Sequence, residues 1–279
     1  DQYRSLITFD GLQYPDATGG FYSGAEPALL ANPELTWASS EQIDIGFDMY
    51  MLGDKLTIGF DYFNKKTKDL LTTGTPPLSV GNTPSTVNAG DVTNKGIELE
   101  LGYRNYDNDF KYGISANLTS IKNEVTYLNP LVERIGGASV GTGWTATWFE
   151  LNQPVWFFRG YQTDGIFQND AQIEAYKEAN GGLDGYNPVP GDPIVVNTNG
   201  DNLINDEDQT NIGNPHPTFT WGASIDLAYK GFDFRTILQG VHGHDVLLGW
   251  NRYDRGTANK PQFFFDDRWT GEGSTNERP

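Results

Sequence analysis

One stretch of the chain carries residue types at a spacing that points to chemistry. Asn197-Thr-Asn199-Gly-Asp201-Asn-Leu203-Ile-Asn205-Asp-Glu-Asp208 sets side-chain oxygens at positions 1, 3, 5, 9 and 12 of a loop. Hard divalent cations take oxygen ligands, and this layout is that of an EF-hand-type calcium loop. Asn197, Asn199, Asp201, Asn205 and Asp208 are the candidate side-chain ligands. Leu203 offers its backbone carbonyl at position 7, and Ile204 anchors position 8. Three positions depart from the motif. Position 1 is Asn rather than Asp. Position 6 is Asn202 rather than Gly, although Asn tolerates the left-handed conformation needed there. Position 12 is Asp208, shorter than Glu. Fewer charges and a shorter last ligand predict weak Ca2+ binding, at about millimolar levels. The plainer alternative is an Asn/Asp-rich loop that holds no metal.

Upstream of that loop, Trp144, Trp148, Trp156, Phe157 and Tyr161 crowd together with Phe149 and Phe158. Aromatic side chains of this kind stack on sugar rings or anchor a protein partner. They also pack the core of a small folded loop, and that is the simpler expectation. The three histidines are His216, His242 and His244, of which the last two read as a surface pair. Glu98 with Glu100, and Asp266 with Asp267, read as wall charge rather than as an acid and a base. No Ser/His/Asp order, phosphate-binding glycine loop or HExxH motif is present, so the chain reads as a non-enzyme.

The elements that position these residues follow from hydropathy of period two. Phe219, Trp221, Ala223, Ile225, Leu227 and Tyr229 alternate with Thr220, Gly222, Ser224, Asp226 and Ala228. Lys230-Gly231 is a turn pair, and Phe232 to Gly240 alternates again. Strict alternation gives a strand one apolar face and one polar face. The same pattern recurs from Ile43 to Met51, in 55–67, in 93–105 and in 110–125. Gly53-Asp54, Asp107-Asn108 and Lys230-Gly231 form short turns on one side. Residues 1–40 read as irregular, residues 68–92 as a polar loop, and residues 126–217 as one long excursion on the opposite side.

That excursion holds 12 Asp and Glu against 3 Lys and Arg, a net of −9, half of the whole chain's −18. A chain this acidic is not built for nucleic acid. There are no cysteines and hence no disulfide framework. No apolar run suits a membrane-spanning helix. Short turns on one side, long loops on the other, aromatic residues at strand ends and polar interleaved positions are the signature of an outer-membrane β-barrel. Six strands leave raw edges that lipid does not tolerate. The fold class expected is therefore all-β, an antiparallel transmembrane β-barrel segment with long extracellular loops, completed by strands before Asp1 and after Pro279.

Several stretches resemble the SusC/RagA family of TonB-dependent outer-membrane transporters. They are Asn32-Pro-Glu-Leu-Thr-Trp37, Phe60 to Leu71, Asn88 to Glu100, Phe158 to Gln168, the loop 197–208, Ile212-Gly-Asn-Pro-His-Pro217 and Arg268-Trp-Thr-Gly-Glu272. They cover nearly the whole chain and resemble the later part of the barrel. The family's plug domain and final strands have no counterpart in this sequence. The resemblance implies a barrel of about 22 strands in the outer membrane of a Gram-negative, Bacteroidetes-like bacterium. It further implies a SusD-like surface lipoprotein as partner, TonB acting through the plug, and a glycan or peptide substrate. Two other readings stand beside it: a siderophore-type TonB receptor, and a secreted calcium-dependent β adhesin or carbohydrate-binding module.

Overall fold

The computed structural model describes residues 6–29, 31–73, 85–130, 132–140, 143–183, 185–248 and 262–279. The chain forms two compact units. One gathers Asp1–Ile135, Phe149–Val155 and Pro217–Gly243; the other gathers Gly136–Trp148, Trp156–His216 and His244–Pro279.

The first unit opens with a hairpin, β1 (Leu6–Pro15) and β2 (Phe21–Leu29). This corrects the expectation of an irregular stretch through residue 40. The pairing slips between Phe9 and Gln13, which breaks the alternation that would have revealed it. Its turn is fastened by Asp16, whose carboxylate accepts from the Thr18 and Gly20 amides at 2.7 and 2.8 Å.

Next come β3 (Ser39–Met51), β4 (Leu56–Thr73), β5 (Thr86–Asn105) and β6 (Phe110–Leu128). Shorter elements follow and belong mainly to the second unit. β15 (Phe219–Tyr229) and β16 (Phe232–His242) then complete one antiparallel sheet in the order β3-β4-β5-β6-β15-β16. β4 and β5 extend well into the stretch read as a polar loop at 68–92, because Leu70 to Thr73 pair with Thr86 to Gly90. The middle of that stretch, 74–84, lies outside the described residues. The first turn is also longer than Gly53-Asp54. Met51 pairs with Leu56, which leaves residues 52–55 to turn the chain, with Leu52, Gly53 and Asp54 all left-handed.

Register decides what each face is. Phe47, Phe60, Leu99, Leu118, Trp221 and Gly240 form one row across all six strands. Met49, Ile58, Leu101, Ala116, Ala223 and Leu238 form the next row on the same face. On the opposite face, Asp48, Gly59, Glu100, Asn117, Gly222 and Gln239 share a row. The apolar face is not packed on a second sheet: Phe47 is 55% exposed, Ile97 47% and Phe234 58%. A water-soluble sandwich would bury these side chains, whereas a barrel wall offers them to lipid. Near the turns, Tyr103, Phe110, Tyr112 and Tyr229 make a chain of ring contacts with centroids 5.9–6.3 Å apart, an aromatic girdle at one membrane interface. Among the described residues no helix is long and apolar enough to cross a membrane, which says nothing of strands.

Beyond the end of the sheet opposite these turns, the wall grows its own small core. Val92, Val125 and Phe149 are buried together, with Leu70, Leu128, Ile135 and Val155 around them. The segment 149–155 folds back on β6, where the Val125 amide donates to the Gln153 carbonyl at 2.9 Å.

The second unit is assembled from short pieces. They are β7 (Ile135–Gly136), β8 (Ser139–Val140), β9 (Trp144–Thr145), β10 (Thr147–Phe149), β11 (Phe157–Gly160), β12 (Thr163–Ile166), α1 (Asp170–Ala179), β13 (Pro193–Val195), β14 (Thr210–Gly213) and a last helical turn, α2 (Phe263–Asp266). A four-stranded sheet runs β14-β11-β10-β7, and β12 pairs with β13. Helix α1 starts where Asn169 accepts the Gln172 amide at 3.0 Å. Its one buried residue, Ile173, packs with Phe167 and Ile194 against Tyr176 and Tyr186.

Candidate functional site

The loop 197–208 folds as a succession of side-chain-to-backbone turns. Asn197 Oδ1 accepts the Gly200 amide at 2.7 Å, Asn199 Oδ1 the Asp201 amide at 3.0 Å, and Asp201 Oδ1 the Leu203 amide at 2.8 Å. Asn205 Oδ1 accepts the Glu207 amide at 2.7 Å. Asp208 closes the loop: it is fully buried, and its two oxygens accept the amides of Thr198 and Asn205, each at 2.9 Å. Asx residues favour such turns because their short side chains mimic a backbone turn. The left-handed residue is Gly200 at position 4, and Asn202 is not among the left-handed residues. The expectation for position 6 is corrected accordingly: glycine takes that conformation at no Cβ cost, so the bend falls where glycine stands.

These residues fit a weakly held cation. Each ligand oxygen that accepts one amide keeps a further lone pair, and the turns hold Asn197, Asp201 and Asp208 in fixed orientation. One group opposes it, because the Asn199 amide donates to Asp201 Oδ2 at 2.9 Å and would have to yield. Among the described residues no three His, Cys, Asp or Glu side chains converge as a metal cluster, so a cation would rely on the asparagine and backbone oxygens.

The aromatic residues divide. Phe157 is 1% exposed and belongs to the core, so it offers nothing to a partner; this corrects its place among the contact residues. Trp144, Trp156 and Tyr161 are each 37% exposed. Trp148 is half-buried, and its indole N–H donates to the Thr145 carbonyl at 2.9 Å. Tyr161 reaches the loop, donating to Asp206 Oδ1 at 3.3 Å.

Arg159 joins the two features and was not singled out from the sequence. It is 4% exposed on β11. Its guanidinium donates to Gln209 Oε1 at 2.6 Å and to the Asp206 carbonyl at 2.7 Å, and lies 5.7 Å from the Trp148 ring centre. The planar fork suits two acceptors and an aromatic face at once. Its signal in the sequence is isolation, since it is one of only 3 basic residues in 126–217. Close by, burial pushes the Tyr176 phenol above its ordinary pKa, with the charges of Tyr186 and Asp208 acting the same way.

Comparison with known proteins places this architecture. Residues 4–203 match the family model described as TonB dependent receptor-like, beta-barrel. The chain belongs to the TonB-dependent receptor β-barrel family. It is 30% identical to TonB-dependent receptor P3 of Formosa agariphila over 248 residues, covering 88% of this chain and 24% of that protein. Over 286 residues it is 30% identical to TonB-dependent receptor P26 of the same organism, covering 98% and 26%. With TonB-dependent receptor SusC of Bacteroides thetaiotaomicron the identity is 25%, over 84% of this chain and 22% of that one. The chain thus spans about a quarter of the length of the curated relatives it matches. In fold it is similar to the RagAB peptide transporter, with a TM-score of 0.59 at 20% identity over 87% of this chain and 24% of that one. The open-open state of the RagAB importer gives 0.61. As a member of this receptor family the chain is an outer-membrane barrel segment, and the six-stranded sheet is a length of its wall.

Proposed function

We propose that this chain is part of the barrel subunit of an outer-membrane nutrient importer of the SusC type. The observation that carries this is the register of the sheet: one face is apolar across all six strands, and the other is lined by carboxylates, amides and hydroxyls. Such a wall borders lipid on one side and an aqueous passage on the other. The substrate class is an oligosaccharide or a peptide, and the likeness to a peptide transporter supports the second. A SusD-like surface lipoprotein is the partner, and TonB drives uptake through the plug of such receptors. Trp144, Trp148, Trp156 and Tyr161, beside the calcium-type loop, are the contact residues, with Ca2+ weakly held to stiffen the loop. The excursion's net of −9 favours this over uptake of an anionic ferric chelate.

The test is purification of the full-length receptor from outer membranes in detergent. A surface lipoprotein and a bound glycan or peptide are expected to co-purify and to be identified by mass. Extraction into water without detergent would sink the barrel reading. Uptake of a ferric chelate with no lipoprotein would sink the substrate and partner.

A further inference from the structure

The second unit draws on two separate excursions from the sheet, the one between β6 and β15 and the one after β16. We infer that residues 269–278 are a strap that welds them into one moving body, and that Gln168 is the positioning residue that holds it shut.

The Gln168 side chain is saturated. Its Oε1 accepts the Trp269 indole N–H at 3.3 Å and the Gly273 amide at 2.8 Å. Its Nε2 donates to the Ile166 and Thr275 carbonyls, each at 3.0 Å. Three of these four bonds cross to a segment about a hundred positions away. A primary amide is the one side chain that offers two donors and a two-lone-pair acceptor from a single planar group. Neighbouring contacts extend the seam. Asn276 Oδ1 accepts the Ile166 amide at 2.8 Å, and Asn169 Nδ2 donates to Glu272. The strap closes on itself where the Trp269 amide donates to the Arg278 carbonyl at 2.8 Å.

Two glycines make the socket. A Cβ on Gly191 would stand 2.8 Å from the Trp269 ring, so the indole occupies space that glycine leaves. Gly165 is left-handed, at φ +87°, and a Cβ there would strike the Asn276 side chain. Both have positive φ, which already favours glycine, and both leave the space that the strap's side chains fill. Since the bonds run between two excursions, neither moves on its own while they persist. Release of the strap is then all-or-none, with Gln168 setting its threshold. This holds whatever solute the barrel carries.

Hydrogen exchange on the full-length receptor in detergent reads the strap directly. In Gln168→Met, which keeps length and shape, the amides of Trp269, Gly273 and Ile166 are expected to speed up together, by about tenfold or more. The amides of Ile173 and Asn180 in and after α1, and of Val125 in the wall, keep their rates. Gln168→Glu retains the acceptor bonds and sets charge against two carbonyls, so its strap exchanges faster at neutral pH and recovers towards pH 4, where a protonated carboxyl donates again; the parent shows no such recovery. Unchanged rates at Trp269 and Ile166 in Gln168→Met overturn the inference. Equal acceleration of α1 overturns it as well, by making Gln168 a general fold residue.

Discussion

Asp61 stands directly opposite Glu98 in the ladder between β4 and β5, on the polar face of the wall. Neither carboxylate has a hydrogen-bond or ion-pair partner among the described residues, and Asp61 leans over Gly46 on the next strand. Like charges directly opposite on a sheet are destabilising. A sheet face lined this way trades stability for a concentrated negative field. Glu98→Gln in the full-length receptor is expected to stabilise the barrel by about 0.2–1 kcal/mol, measured as a shift of the denaturant midpoint in detergent. A lowered midpoint would mean that a cation from elsewhere in the receptor already faces the pair.

Adjacent residues on β5 give a second expectation. Leu99 lies on the apolar row and Glu100 on the polar one. Arginine on the lipid face costs about 2–4 kcal/mol near the bilayer midplane, whereas lumen positions tolerate charge. Leu99→Arg should therefore cut the yield of folded barrel in the outer membrane and lower its midpoint, while Glu100→Arg leaves both near the parent. Equal effects of the two would contradict the assignment of faces.

The wall was legible because two solvents write a strict code on it. Phe219 to Tyr229 alternates without a fault, and the register pairs that pattern residue for residue with its neighbours. β1 and β2 were not legible, because a register shift at Phe9–Gln13 spoils the period. Helix α1 escaped notice because it buries only Ile173, so no apolar stripe announces it; its Asn169 cap and Lys177 in the last turn were the readable signs. Trp156 stands in a left-handed turn just before β11, whereas period two within β11 sets Phe157 on the face of Arg159, both buried. The strap was out of reach, since Gln168 meets Trp269 across 101 positions and no local pattern records that pairing.

Arg159 gives a third expectation. Its fork holds the Asp206 carbonyl and Gln209 while its plane faces Trp148. Lysine brings the charge without the planar fork. Arg159→Lys should cost about 1–3 kcal/mol, the range for leaving buried acceptors short of a donor. Trp148 fluorescence should change along with the loop, because one side chain supports both. A loss of stability with Trp148 emission unmoved would place Arg159 in the core alone.

The last expectation concerns the amide of Asn199. It donates to the same Asp201 carboxylate that a cation would need, at 2.9 Å. Asn199→Asp removes that donor and adds a ligand charge, and charge count is what tunes affinity in loops of this layout. Calcium titration of the full-length receptor, read by thermal shift, should show a weak rise for the parent and on the order of tenfold tighter binding for the variant. Asp208→Asn should do the reverse and also weaken the metal-free loop, because its two oxygens hold the Thr198 and Asn205 amides from a fully buried site. If neither parent nor Asn199→Asp responds to calcium while Asp208→Asn still unfolds the loop, the turns alone hold it, and the asparagines stand in for the ion.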